Sequence, residues 1–136
     1  MTPEQLCQLA IEAMAHAYVP YSGYRVGAAL LCADGKVYQG CNIENASYTP
    51  TVCAERTAFF KAVYDGEREF TAIAVCGGKD GKITGTFPPC GVCRQVMREF
   101  CQDDFVIYMI GENGTFEAHT LAEILPYSFS AKEHMH

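Results

Sequence analysis

No apolar run in this chain approaches the roughly 20 residues that cross a bilayer as a helix. The first residues, Met1-Thr2-Pro3-Glu4-Gln5, lack the basic and apolar regions of a secretory signal. Membrane function is therefore not expected, and a cytoplasmic setting is. Positive charge is also scarce, with 10 Lys and Arg against 16 Asp and Glu for a formal charge of −6. Arg25, Arg56, Arg68, Arg94 and Arg98 are scattered among acids and form no stripe. Nucleic-acid affinity rests largely on basic side chains neutralising phosphates, so a small or uncharged substrate is expected and a nucleic-acid partner is not. Biased tracts, internal repeats and Pro/Ser-rich linkers are missing too, and 136 residues suit one domain spanning 1–136 with its own core.

Cysteine, by contrast, is abundant. Eight in this length would suit a disulfide framework, but such scaffolds are typically secreted and short of core. Cys7, Cys32, Cys41, Cys76 and Cys101 sit in apolar segments and read as small buried hydrophobes. The remaining three stand in Cys53-Ala54-Glu55 and Pro89-Cys90-Gly91-Val92-Cys93. A lone CxxC is a weak signal, shared by redox motifs and zinc knuckles. A thioredoxin-like dithiol, however, needs no third cysteine at another helix start, and a structural zinc ribbon normally shows a second CxxC or a histidine pair. His16, His119, His134 and His136 have no such spacing and are expected to be solvated. Three thiolates leave the fourth position of a tetrahedral zinc open, which is the pattern of a catalytic site. Glu55, two residues after a ligand, is then the natural proton carrier, and Arg56 offers charge and donors to offset three thiolates.

Thr2-Pro3-Glu4-Gln5 reads as a capping box opening a helix that runs to about Tyr18. Val26 to Cys32 and Lys36 to Ile43 flank Ala33-Asp34-Gly35 as a β-hairpin. A second helix covers Cys53 to Tyr64, Phe70 to Cys76 is a buried strand, and Gly77 to Thr86 reads as a glycine-rich loop. Pro88-Pro89 forces an extended approach to a helix from about Gly91 to Phe100. Strands follow at Phe105 to Ile110 and Thr115 to His119, then a short helix capped by Thr120, and a tail from Ser128 without periodicity. The order α-β-β-α-β-α-β-β-α predicts a central sheet covered by helices. Both cysteine motifs fall at helix starts, where partial positive charge and unpaired amides favour thiolates.

Cys53-Ala54-Glu55-Arg56 with Pro89-Cys90-Gly91-Val92-Cys93-Arg94-Gln95 resembles the small cytidine deaminase family in its all-cysteine zinc version. Pro20-Tyr21-Ser22, Val26 to Leu30, Gly40 to Ala46 and Leu125-Pro126 extend the likeness over nearly the whole chain. The resemblance implies an α/β fold, a three-layer α/β/α arrangement with a central mixed five-stranded sheet. It also implies one Zn2+ per subunit, held by Cys53, Cys90 and Cys93, and deamination of cytidine and deoxycytidine with Glu55 as proton shuttle. By the same resemblance Ala54 offers its amide to the pyrimidine carbonyl, and Asn42 and Glu44 grip the ribose hydroxyls. The resemblance further implies that Phe129 reaches a neighbouring subunit's site in a homotetramer, and that Ala46 and Tyr48 lie near subunit contacts and ligand. Tyr24 stands where the family commonly has phenylalanine. The competing readings are a deaminase of another aminopyrimidine nucleoside such as a blasticidin-like antibiotic, a polynucleotide deaminase, and a noncatalytic zinc-stabilised module.

Overall fold

Both halves of the predicted capping box form at the first helix: the Thr2 hydroxyl accepts from the Gln5 amide, and the Gln5 side chain accepts from the Thr2 amide. The computed structural model describes residues 1–135; His136, expected in the solvated tail, lies outside them. Helix α1 spans Pro3–Met14 and buries Leu6, Cys7, Ala10, Ala13 and Met14. It stops short of Tyr18 because Arg25 donates to the Ala17 carbonyl (2.9 Å) and Tyr18 is drawn into a bridge with Ile43.

The hairpin follows as β1 (Tyr24–Cys32) and β2 (Val37–Cys41), turning at Gly35 with a φ of 93° that suits glycine. Helix α2 spans Ala54–Tyr64, β3 spans Phe70–Lys79 and α3 spans Gly91–Phe100. After β4 (Val106–Ile110) and β5 (Phe116–Thr120) come the short helices α4 (Leu121–Ile124) and α5 (Ala131–His134). Helix α5 corrects the expectation of a tail without periodicity; Ser130 caps it by accepting from the Glu133 amide. Gly77 and Gly78 belong to β3, not to a loop, because they pair with Val26 and Arg25 across the sheet.

The five strands run in the order β2-β1-β3-β4-β5, with β3 and β4 parallel and the other neighbours antiparallel. This is the mixed five-stranded sheet expected. Alternation along the central strands sends Ala29, Ala72, Ala74 and Cys76 to the α1 face. Ala28, Leu30, Ile73 and Val75 point to the opposite face, against Ala58, Phe59 and Ala62 of α2 and Met97 of α3. Helices therefore cover both faces in three layers.

Two glycines set how closely the layers approach. A β-carbon on Gly27 would lie 2.1 Å from the Ala10 carbonyl oxygen, so this position lets α1 lie against β1. One on Gly40 would lie 2.3 Å from the Ala54 carbonyl oxygen, so Gly40 seats the first turn of α2 on β2.

Candidate active site

That first turn carries Cys53 and Glu55. Cys53 is the N-cap of α2 and Cys90 the N-cap of α3, each in an extended conformation and neither giving its helix a side-chain cap bond. Cys93 lies one turn into α3, fully buried. The sulfurs of Cys53 and Cys90 are 3.7 Å apart, those of Cys90 and Cys93 3.5 Å, and all three fall within 4.8 Å of one another. Tetrahedral zinc with Zn–S bonds of about 2.3 Å requires sulfurs about 3.8 Å apart, so the cluster fits that ion with little adjustment.

The Arg56 guanidinium donates to the Cys53 sulfur (3.4 Å), as its place beside the ligand suggested. The Cys53 thiol is held down at about 5, first by the hydrogen bond from Cys93 and then, against the cost of burial, by Arg56 and Cys90. Cys93 is pushed up, because it serves as donor to Cys53, is buried, and faces Glu55. The two thiols thus titrate as a pair that shares a hydrogen bond. A divalent cation would replace that sharing by drawing the protons off.

Glu55 is 2% exposed, among the most buried side chains and otherwise surrounded by core. Its Oε1 has no hydrogen-bond partner. A buried carboxylate oxygen left unpaired is costly unless a ligand completes it. Burial pushes its pKa up to about 7, with the Cys53 charge adding to the rise. A carboxyl poised near neutrality takes and returns a proton at little cost. Ala54 is fully buried at the first helical position, where a helix leaves its amide unpaired.

The segment after β2 is drawn to this corner through Ile43, which exchanges two backbone hydrogen bonds of 3.0 Å with Val52, the residue before Cys53. Asn42 and Glu44 therefore flank a contact that abuts the metal cluster. Strand β2 ends before them, at Cys41 and not at Ile43, because the Asn42 side chain takes over the pairing with β1. Its Oδ1 accepts from Val26 (2.9 Å) and its Nδ2 donates to the Tyr24 carbonyl (2.8 Å). Glu44 accepts from the amides of Tyr21 and Ser22 (both 3.1 Å) and from the Ser22 hydroxyl. The hydroxyl in particular holds its carboxyl below the usual range.

Tyr24 packs its ring 6.0 Å from Phe87, on the approach to Cys90. Ala46 and Tyr48 lie on the exposed stretch between Glu44 and Thr51, with Tyr48 82% exposed. Phe129 is 55% exposed and stacks on His134 at 5.2 Å. Sequence reasoning passed over Ser22, Phe87 and Arg94. Ser22 stood inside a quoted motif, but its bond to Glu44 spans 22 residues and leaves no local signal.

A family model described as the cytidine and deoxycytidylate deaminase zinc-binding region matches residues 1–109. Cytidine deaminase of Sporosarcina psychrophila is 49% identical over 98% of this chain and 95% of its own. Cytidine deaminase of Halalkalibacterium halodurans is 48% identical over 98% of both. The crystal structure of cytidine deaminase from Burkholderia pseudomallei superposes with a TM-score of 0.88 at 44% identity, covering 95% of this chain and all of that one.

Proposed function

Since the chain belongs to the cytidine and deoxycytidylate deaminases that share this zinc-binding region, we propose that it hydrolyses cytidine and deoxycytidine to uridine and deoxyuridine with release of ammonia. The observation that carries the mechanism is the Oε1 of buried Glu55, which has no partner among the described residues, together with a three-sulfur cluster that gains no fourth ligand from them. Cys53, Cys90 and Cys93 would hold the zinc, which when bound would supply Lewis acidity that makes a water easier to deprotonate. Glu55 takes the proton of that water and passes it to ring N3, which makes C4 electrophilic. It then takes the proton of the new C4 hydroxyl and hands it to the departing amine, so that the C4–N bond breaks, a C4 carbonyl forms and ammonia leaves. Arg56 offsets thiolate charge, and the Ala54 amide serves the pyrimidine carbonyl.

Asn42 and Glu44 are read as the ribose-binding pair. Their support is the Ile43–Val52 contact, which ties the residue between them to the one before Cys53, together with the carboxylate character of Glu44, which suits hydroxyl donors. The same pair favours a nucleoside over a blasticidin-like antibiotic as substrate. Tyr24 extends the aromatic edge formed with Phe87, and Ala46 and Tyr48 border the site.

Assembly into a homotetramer belongs to the same reading, with Phe129 stacking on the base in a neighbouring subunit. Helix α2 supports it by turning Thr57, Phe60 and Tyr64 outward on a largely apolar cleft of about 510 Å³ that Tyr38, Ile43 and Val52 also line. A cytoplasmic setting fits too, since all eight cysteines are free thiols and a thiolate site needs reducing conditions. No helix among the described residues is long and apolar enough to cross a membrane.

The test is an absorbance assay on zinc-loaded protein with cytidine, deoxycytidine and, in parallel, single-stranded DNA. Conversion of both nucleosides and not of DNA is expected; no conversion of either nucleoside would sink the proposal. Phe129→Ala should raise KM with assembly preserved, and an unchanged KM would remove the stacking role.

A further inference from the structure

Arg94 follows the last cysteine of the PCxxC segment and carries no part of the proposed chemistry, yet it is partly buried and ties two distant carbonyls together. Its Nε donates to the Pro89 carbonyl (2.8 Å), the residue before Cys90, and its Nη1 donates to the Ile124 carbonyl (2.7 Å), the last residue of α4. Beside it, Gln95 donates to the Phe129 carbonyl (2.9 Å). The first turns of α3 thus hold the C-terminal segment at two points.

The approach to Cys90 needs such a tie. Pro88 and Pro89 have no backbone N–H, so this stretch has little means of bonding itself to a neighbour. Of the three cluster cysteines, Cys90 is the exposed one, so packing does least to fix it. Beyond α4, Leu125 still packs against the core, whereas Pro126, Tyr127 and Ser128 line a cavity of about 860 Å³ against the end of α3. A charged fork that satisfies carbonyls on both sides ties the loop to α4, adding to the anchor that the buried Pro89 ring gives it.

We propose that Arg94 is a positioning residue for the metal, clamping the Pro89–Cys90 loop to α4 so that the exposed Cys90 sulfur stays in coordination range. The proposal rests on the reading of Cys90 as a ligand. Arg94 touches neither substrate nor sulfur. Its effect passes through the Pro89 carbonyl to the N-cap position of α3. Loss of such supporting hydrogen bonds typically costs about 10–100-fold in metal affinity.

The experiment measures zinc release from the whole protein to a chromophoric chelator, with the thiolate-to-metal absorption bands of the cobalt-substituted protein as a second readout. Arg94→Gln should release zinc about 10-fold faster or more and alter the cobalt bands. Arg94→Lys, which keeps the charge but cannot span both carbonyls, should fall between and serves if the glutamine variant does not fold. Arg98→Gln, also on α3, breaks the ion pair with Asp103 (2.7 Å) beyond the helix end and should lower Tm without changing zinc release. Release at the wild-type rate with unchanged bands in folded Arg94→Gln or Arg94→Lys would overturn the role. So would equal acceleration in Arg98→Gln, which would trace the effect to helix stability alone. A wild-type protein that holds no zinc would overturn the ligand reading as well, and the wild-type arm distinguishes the two failures.

Discussion

Helices α1 and α4 begin at threonines whose hydroxyls accept from the backbone amide three residues on, whereas α2 and α3 begin at cysteines that cap nothing. The N-cap is where a helix offers unpaired amides and partial positive charge. At α1 and α4 a local hydroxyl satisfies that end and the helix is complete. At α2 and α3 the same position is given to a sulfur that faces the other helix's capping sulfur at 3.7 Å, leaving the helix start unfinished until something binds. The two pairs differ in what they are for: the threonine starts fix the scaffold, and the cysteine starts gather charge in one corner of it.

Replacing a cysteine cap by a hydroxyl cap is the strongest way to break this contrast. Cys53→Ser should abolish zinc binding and turnover while leaving the metal-free protein at least as stable as wild type, because serine is a good N-cap. Metal analysis and thermal melts of the stripped proteins check both halves. Next comes the seating of the two faces. Gly40→Ala forces a β-carbon into the Ala54 carbonyl and Gly27→Ala into that of Ala10, each expected to cost about 1–3 kcal/mol by overpacking. Only Gly40→Ala should also weaken zinc affinity, since it displaces the turn that carries Cys53; equal zinc affinity in both would break the distinction.

The cysteines away from the cluster sharpen the comparison by pH. Burial pushes Cys7 up to about 11 and Cys32, Cys76 and Cys101 to about 12, against an ordinary thiol value of 9.0. A raised folded pKa contributes stability that is complete below the unfolded value and lost as pH rises through the folded one. Stability should therefore fall as pH climbs past 9 toward 12, and more gently in Cys76→Ala. Denaturant melts from pH 8 to 11 check this. The smallest effect is expected at the scaffold cap: Thr2→Ala should cost about 1 kcal/mol in the same melts and leave turnover unchanged.

Much of this was legible in the chain because it is local. Thr2 to Gln5 and Thr120 to Glu123 spell their capping boxes within four residues, and the hairpin turn is marked by Asp34-Gly35. Cys53 and Cys90 could be set at helix starts because helical composition follows each directly. What escaped depends on partners far along the chain. Tyr18 leaves α1 to meet Ile43, and Gly77 joins β3 because Val26 lies opposite. Asn42 reads as the polar end of a strand, but each end of its amide makes one bond to β1, leaving a second lone pair and a second N–H. Arg94 looks like any arginine on a helix until Ile124, 30 residues later, is folded against it.

A buried carboxylate with one free oxygen beside the three-cysteine cluster is the centre of the proposed chemistry. Zinc content and cytidine turnover, measured on one preparation of Glu55→Gln beside wild type, test it most directly. One zinc per chain with turnover reduced by about 10²–10⁴-fold is the expected result, and wild-type turnover in a zinc-loaded Glu55→Gln would contradict it.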